Sequence, residues 1–290
     1  MNPIKSIMPK LMDDIDLTIV ESENVFNYLV SGKASEVEMA AFLATLSVKG
    51  SCSKELIGAV NALKPFVKNP LELDVSTIDI VGTGGDGLKT YNISTAVAFI
   101  VASNGLYVAK HGNTAVSSKS GASDVLKELG INININKEII NKCLKETNMC
   151  FLFAPNYNNA FKYVAKVRKE LSFRTIFNLL GPLLNPVRAK RQLLGVFSNQ
   201  YLKVLAETLQ AQNSIKSWVV NGSDGMDEIT LTGITKVVEL DNNQIKEFEI
   251  NPEKYNFKLC SPESLQGGEP KYNAKKMIRL FEGEKSSYRD

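Results

Sequence analysis

Four short segments hold the residues whose types and spacing can do chemistry. In IDIVGTGGDGLKTYNIST an apolar run ends at Val81 and enters Gly82-Thr83-Gly84-Gly85-Asp86, and a helix is expected to begin near Ser94-Thr95. A strand that passes through glycines into a helix N-terminus turns backbone N–H groups toward one point, which suits phosphate. Glycine at such a loop removes the Cβ that would hold a phosphate off the backbone. The segment has neither the GK[ST] of a P-loop nor the GxGxxG dinucleotide pattern, so a plain turn competes with this reading. Asn92, Ile93, Ser94 and Thr95 favour the anion site, because they put an amide and two hydroxyls at the helix mouth. In AKHGNTAVSSKSGASDVL, Lys110 is placed at a strand end and supplies a compact charge for phosphate. Ser117 and Ser118 after the turn extend that site; for His111 a structural hydrogen bond is favoured over acid–base work. In VAKVRKELSFRTIFNLLGPLLNP, Arg168 falls on a helix and Arg174 just past its end, and a guanidinium fork grips a carboxylate bidentately. Finally, VVNGSDGMDEIT presents Asp224, Asp227 and Glu228 after an apolar strand. An acidic loop alone is usually solvated, but opposite a phosphate loop it suits Mg²⁺, which takes one or two carboxylates plus substrate oxygens.

The elements that must position these segments fall into two kinds. Residues 1–70 read as helices: Ser35 and Glu38 form a capping box before VEMAAFLATLSVK, and Gly50 stops that helix. A further helix covers SKELIGAVNALKPFVK. From residue 71 to 290 short β-branched runs (TIDIVG, LYVAKHG, NINI, MCFLF, QLLGVF, SWVVNG, TKVVEL) alternate with helical segments. That order predicts an α/β domain with a mostly parallel central sheet. Tyr157, Phe161, Val164 and Val167 recur at helical spacing, so helices over about 157–181 are expected to join the N-terminal helical domain.

Composition narrows the chemistry. The 290 residues are 44% hydrophobic and 22% charged with a net charge of +3, a globular balance too weakly basic to imply nucleic acid or a membrane. The four cysteines show no CxxC spacing, and the N-terminus lacks a secretory apolar region, so a cytoplasmic protein with free thiols is expected. One histidine excludes multi-histidine metal sites and leaves any nucleophile–histidine pair to be built on His111.

GTGGD, NIST, KHGN, the VR of VAKVRKEL, RTIFNLLGPLLNP and the DGMDE turn, in this order, resemble anthranilate phosphoribosyltransferase over about residues 29–290. The resemblance implies a nucleoside-phosphorylase-like fold, a homodimer, and phosphoribosyl pyrophosphate (PRPP) held between a helical and an α/β domain. It further implies PRPP contacts from Gly82, Gly85, Asp86, Thr90, Asn92, Ile93, Ser94, Thr95, Lys110, His111, Gly112, Asn113, Thr114, Ala115, Val116, Ser117, Ser118 and Ala122. Gly82, Asn113 and Arg168 would bind anthranilate, while Ser94, Asp227 and Glu228 would hold magnesium, as two ions. No side-chain nucleophile is implied: positioning and electrostatics by Lys110 and Arg168 carry the reaction, as the amine attacks C1 of the ribose with inversion. The sequence departs from the family pattern at Asn158, where APxYH has histidine, at Thr114 for arginine, at Ala122 for serine and at Ser172 for glycine. The family pattern continues past Asp290 with an alanine-rich helical ending. A related phosphoribosyltransferase or nucleoside phosphorylase with another aromatic acceptor, and an inactive binding paralogue, are the competing readings. An association with a glutamine amidotransferase is left open by the sequence.

Overall fold

Two helices of the N-terminal region are started by reciprocal caps. A computed structural model describes residues 2–68, 70–73, 75–115 and 119–290. The chain opens with α1 (Pro3–Met12), α2 (Ile19–Val30), α3 (Glu36–Lys49) and α4 (Ser53–Leu63). Thr18 with Glu21 and Ser35 with Glu38 satisfy the first free N–H groups of α2 and α3, and Gly50 at φ +83° ends α3. Their apolar faces bury Phe26, Leu29, Phe42, Leu43, Leu46 and Leu56. Each such side chain contributes about 1.5–3 kcal/mol relative to exposure.

Among the described residues seven strands form one sheet. They are β1 (Ile78–Gly82), β2 (Val108–Gly112), β3 (Met149–Phe153), β4 (Arg191–Gly195), β5 (Lys216–Gly222), β6 (Thr235–Asp241) and β7 (Gln244–Ile250). Their order is β3-β2-β1-β4-β5-β6-β7, parallel from β3 to β5 and antiparallel beyond. The α/β expectation is met. The intervening helices are α5 (Ile93–Ser103), α6 (Ala122–Glu128), α7 (Lys137–Thr147), α8 (Ala154–Tyr157), α9 (Ala165–Leu171), α10 (Ile176–Leu180), α11 (Leu202–Ala211) and α12 (Pro270–Phe281). The chain moves from β1 outward to β2 and β3, then returns to the other side of β1 for β4. Loops leaving β1 and β4 therefore diverge, opening a crevice at the carboxyl ends of the parallel strands.

One core runs from the bundle through Val164, Val167, Phe177 and Leu180 to Leu205 on α11 and to Leu194, Val219 and Val238 on the sheet. The middle segment thus packs with the N-terminal helices, although it is not the continuous helix its spacing predicts. It is broken into α8, a 3₁₀ turn over Asn159–Tyr163, and α9. Tyr157 O accepts from Lys68 N and Asn158 forms a β-bridge with Val67, so tertiary pairing takes these groups out of any helical ladder. The run NINI also joins no strand: Asn132 Oδ1 accepts from Asn134 N, and Asn136 caps α7. Asparagine side chains here compete for the backbone that a strand would need. Strand β7 has no counterpart in the sequence reading. Its signal was the Asn242-Asn243 pair, whose positive φ values make the tight hairpin turn from β6.

Candidate active site

The crevice at the carboxyl edge is a cavity of about 560 Å³. Every described residue that the family resemblance assigns to the site lines it: Gly82, Gly85, Asp86, Thr90, Asn92 to Thr95, Lys110 to Ala115, Ala122, Arg168, Asp227 and Glu228. Val116, Ser117 and Ser118, also expected to contact PRPP, lie outside the described residues.

The glycine loop has a different logic from the one its sequence suggests. Gly84, Gly85 and Gly87 adopt φ of +64°, +78° and +82°, a region other L-residues enter only with strain. Gly82 has ordinary dihedrals, and a Cβ there would run into the Asp227 carboxylate. A Cβ on Gly195, its neighbour across β1 and β4, would meet the Asp227 backbone. Both glycines thus admit the acidic loop rather than a phosphate. Asp227 Oδ2 accepts from Gly84 N at 2.7 Å, which ties the two loops together. Glu228 Oε1 accepts from Ser94 N at 3.0 Å and from Ser94 Oγ at 2.6 Å, which ties the acidic loop to the mouth of α5. Asp224 turns away, accepting from Met226 N, Thr230 Oγ1 and Thr232 Oγ1 to fold its own loop.

Lys110 sits at the centre of β2, not at its end, and is 2% exposed. Its ammonium donates to Ile80 O and faces the charges of Asp79, Glu228 and Asp227. Burial lowers its pKa, and the carboxylates oppose that shift. Asp79, which sequence reasoning missed, is fully buried; burial raises its pKa to about 6, with Lys110, Asn185 and His111 holding it down. It accepts from His111 N at 3.0 Å and from Asn185 Nδ2 at 2.8 Å. Its signal was an acidic residue inside an otherwise apolar strand. Asp227 is pushed up to about 8, first by burial and then by repulsion from Glu228 and Asp86. Burial also raises Glu228, against the Ser94 hydrogen bonds and Lys110, and raises Asp86, against the Leu88 and Asp227 backbone and Arg174. Asp227 is buried and Glu228 half-buried, both face Lys110, and Asp86 beside them is half-buried near Arg174. Asp227 and Glu228 with the Ser94 hydroxyl are oxygen donors of the kind a hard divalent cation takes.

The opposite wall differs in chemistry. Arg168 on α9 lies 5.3 Å from the Phe177 ring centroid and 5.8 Å from that of Phe161. Burial lowers its pKa, and no described residue accepts a hydrogen bond from its guanidinium. A cation held by ring faces and left with free N–H groups is set to take a carboxylate. Arg174 instead stacks on Phe197 with its Nε beside Gly85, and does not line the cavity. His111 is buried and held at a pKa of about 4, by desolvation first and then by Lys110. It is therefore neutral at physiological pH, with Nε2 3.2 Å from Asn158 Nδ2. Ser172, where the family pattern has glycine, takes φ +54°.

Residues 74–290 match the model of the glycosyl transferase family α/β domain, and residues 5–65 match that of its helical bundle domain. Anthranilate phosphoribosyltransferase from a Bradyrhizobium species is 44% identical over 290 residues, which is 100% of this chain and 86% of that protein. The same enzyme from Clostridium beijerinckii is 46% identical over 288 residues, covering 99% of this chain and 85% of that one. The chain belongs to the anthranilate phosphoribosyltransferase family. The Thermus thermophilus member superposes with a TM-score of 0.89 at 37% identity, covering 100% of this chain and 85% of that one. The Saccharomyces cerevisiae member, solved in complex with PRPP and Mg, gives 0.84 at 27% identity over 95% of this chain and 80% of that one. Among the described residues no helix is long and apolar enough to cross a membrane.

Proposed function

We propose that the two walls of the cavity divide the reaction between them: the glycine and acidic loops hold PRPP with two magnesium ions, and the aromatic-backed arginine holds anthranilate. The chain is a phosphoribosyltransferase that transfers the phosphoribosyl group of PRPP to anthranilate, giving N-(5-phosphoribosyl)anthranilate and pyrophosphate. The observation that carries the division is the pairing of the Asp227 and Glu228 carboxylates, tied to Gly84 and Ser94 on one wall, with a half-buried Arg168 held between the Phe161 and Phe177 rings on the other. Ser94, Asp227 and Glu228 would hold the magnesium, which supplies charge neutralisation for the pyrophosphate.

The protein's own groups do the rest. Backbone N–H groups of the glycine loop and of the α5 N-terminus present positive charge to the phosphates, while Lys110 offsets the carboxylates from below. Arg168 grips the anthranilate carboxylate and sets the direction of the amine. The C1–O bond to pyrophosphate breaks with its electron pair leaving on oxygen. The amine lone pair forms the C1–N bond on the opposite face, and the nitrogen then loses a proton. An aryl amine is neutral near pH 7, so neutral His111 need not act as a base. Orientation accordingly carries much of the rate. A phosphorylase using free phosphate would have no comparable use for the Asp227–Glu228 pair.

This reading extends to a cytoplasmic homodimer. The test is the loss of anthranilate fluorescence on mixing the protein with PRPP and Mg²⁺, run beside Arg168→Ala. Decay in the parent, with an apparent affinity for anthranilate weakened about a hundredfold in the variant, is the expected result. Equal decay in both would overturn the placement of the acceptor on Arg168.

A further inference from the structure

The segment 265–288 lies far in sequence from every substrate loop, yet it braces the one that joins β1 to α5. Gly267 N donates to Lys89 O at 2.9 Å, Tyr91 N donates to Leu265 O at 3.1 Å, and Thr90 bridges to Gln266. A Cβ on Gly267 would strike Thr90 O, so the strap lies flush on the loop. Tyr288 stacks on Tyr91 at 4.4 Å between centroids, and its hydroxyl donates to Asn92 O at 3.4 Å.

At the centre of this contact is Asn273 on α12, 1% exposed. Its Oδ1 accepts from Gly268 N at 2.8 Å, which fixes which end of the amide is the oxygen. Its Nδ2 must then face outward, and it donates to Asn92 Oδ1 at 2.9 Å. Asn92 is oriented from the far side as well: its Nδ2 donates to Ser120 O at 3.1 Å, and its Oδ1 also accepts from Ser120 Oγ at 3.2 Å. Gly268, Asn273, Asn92 and Ser120 thus form a one-way relay in which no amide can flip without setting two acceptors or two donors against each other. The relay ties the α5 mouth to the loop that leaves β2, and these are the two segments that meet in the cavity. Asn92 makes no side-chain cap to α5; its oxygen is committed to the relay and one N–H remains for a ligand.

We infer that Asn273 is a positioning residue for PRPP, acting through Asn92 and Ser120 to hold the two phosphate-facing loops in register. The inference rests on the proposed placement of PRPP along these loops. Removing the Asn273 amide frees Asn92 to rotate, so its remaining N–H no longer points at one place. An isosteric aspartate keeps the acceptor for Gly268 N but sets an oxygen against Asn92 Oδ1.

The experiment is steady-state kinetics with PRPP and anthranilate varied separately, for Asn273→Ala, Asn273→Asp, Asn92→Ala and the Asn92→Ala/Asn273→Ala double variant. Asn273→Ala and Asn273→Asp should each raise KM for PRPP about tenfold, with kcat and KM for anthranilate within about threefold of the parent. A purely structural role would lower the active fraction, hence kcat, and leave KM for PRPP alone. In the Asn92→Ala background the second substitution should change KM for PRPP by less than about twofold, because the relay is already cut. If Asn273→Ala is too unstable to purify, Asn273→Asp, which fills the same volume, gives the same reading. A raised KM in Asn92→Ala with none in either Asn273 variant would overturn this inference alone. An additive double variant would do the same. An unchanged KM in Asn92→Ala as well would overturn the placement of PRPP and the inference with it.

Discussion

Two carboxylate clusters in this protein, each with one buried member, have opposite fates. In the helical bundle Glu55 is 0% exposed, 3.1 Å from Lys49 Nζ, and accepts from Leu17 N at 3.0 Å and Cys52 N at 2.9 Å. Lys49 also binds Asp16, and its pKa is raised despite desolvation. In the cavity Asp227, Glu228 and Asp86 all have raised pKa values, burial first, and Glu228 and Asp86 repel Asp227. Glu55 is satisfied from all sides and belongs to the architecture. The cavity trio keeps perturbed carboxyls, a condition that a folded protein tolerates where a ligand will supply the balance.

The largest test of that contrast is Glu228→Gln. Activity with PRPP and Mg²⁺ should fall on the order of a thousandfold. Thermal stability should hold or rise, because a charge that repels Asp227 has gone; a variant that melts much earlier would mean the trio is structural after all. Glu55→Gln should do the reverse, costing about 3 kcal/mol in denaturant unfolding by leaving Lys49 under-paired, while activity per folded molecule persists. Loss of kcat in fully folded Glu55→Gln would erase the distinction.

A finer test uses His111, held neutral beside the cavity with its pKa depressed from 6.5 to about 4. A group depressed on folding gives stability that is present above pH 6.5 and lost as pH falls toward 4. The parent should therefore lose about 3 kcal/mol relative to His111→Asn between those values, measured as the difference between the two unfolding curves. Parallel curves would show that the imidazole is solvated.

Much of this was legible in the sequence. The capping box at Ser35, the stop at Gly50 and the parallel strands are set by local chemistry and periodicity, and they appear where such patterns place them. The residues of GTGGD, NIST, KHGN and DGMDE declare anion and cation chemistry by type alone. Their meeting does not follow from any one of them: Gly84 and Asp227 are 143 residues apart. Local patterns also misled where distant partners competed for the backbone, as when Val67 and Lys68 broke the expected helix at Tyr157 and Asn158.

The sequence by itself determined where caps and turns fall and which groups carry charge, because turn dihedrals, caps and side-chain ionisation are properties of a few adjacent residues. Only the tertiary structure decided why Gly82 and Gly195 have no side chain, that Lys110 faces Asp79 and the acidic pair, and that Arg168 keeps its N–H groups free. Those outcomes depend on which surfaces the crossover from β3 to β4 brings face to face. They depend equally on how much water is removed between them, and neither quantity is written at any single position.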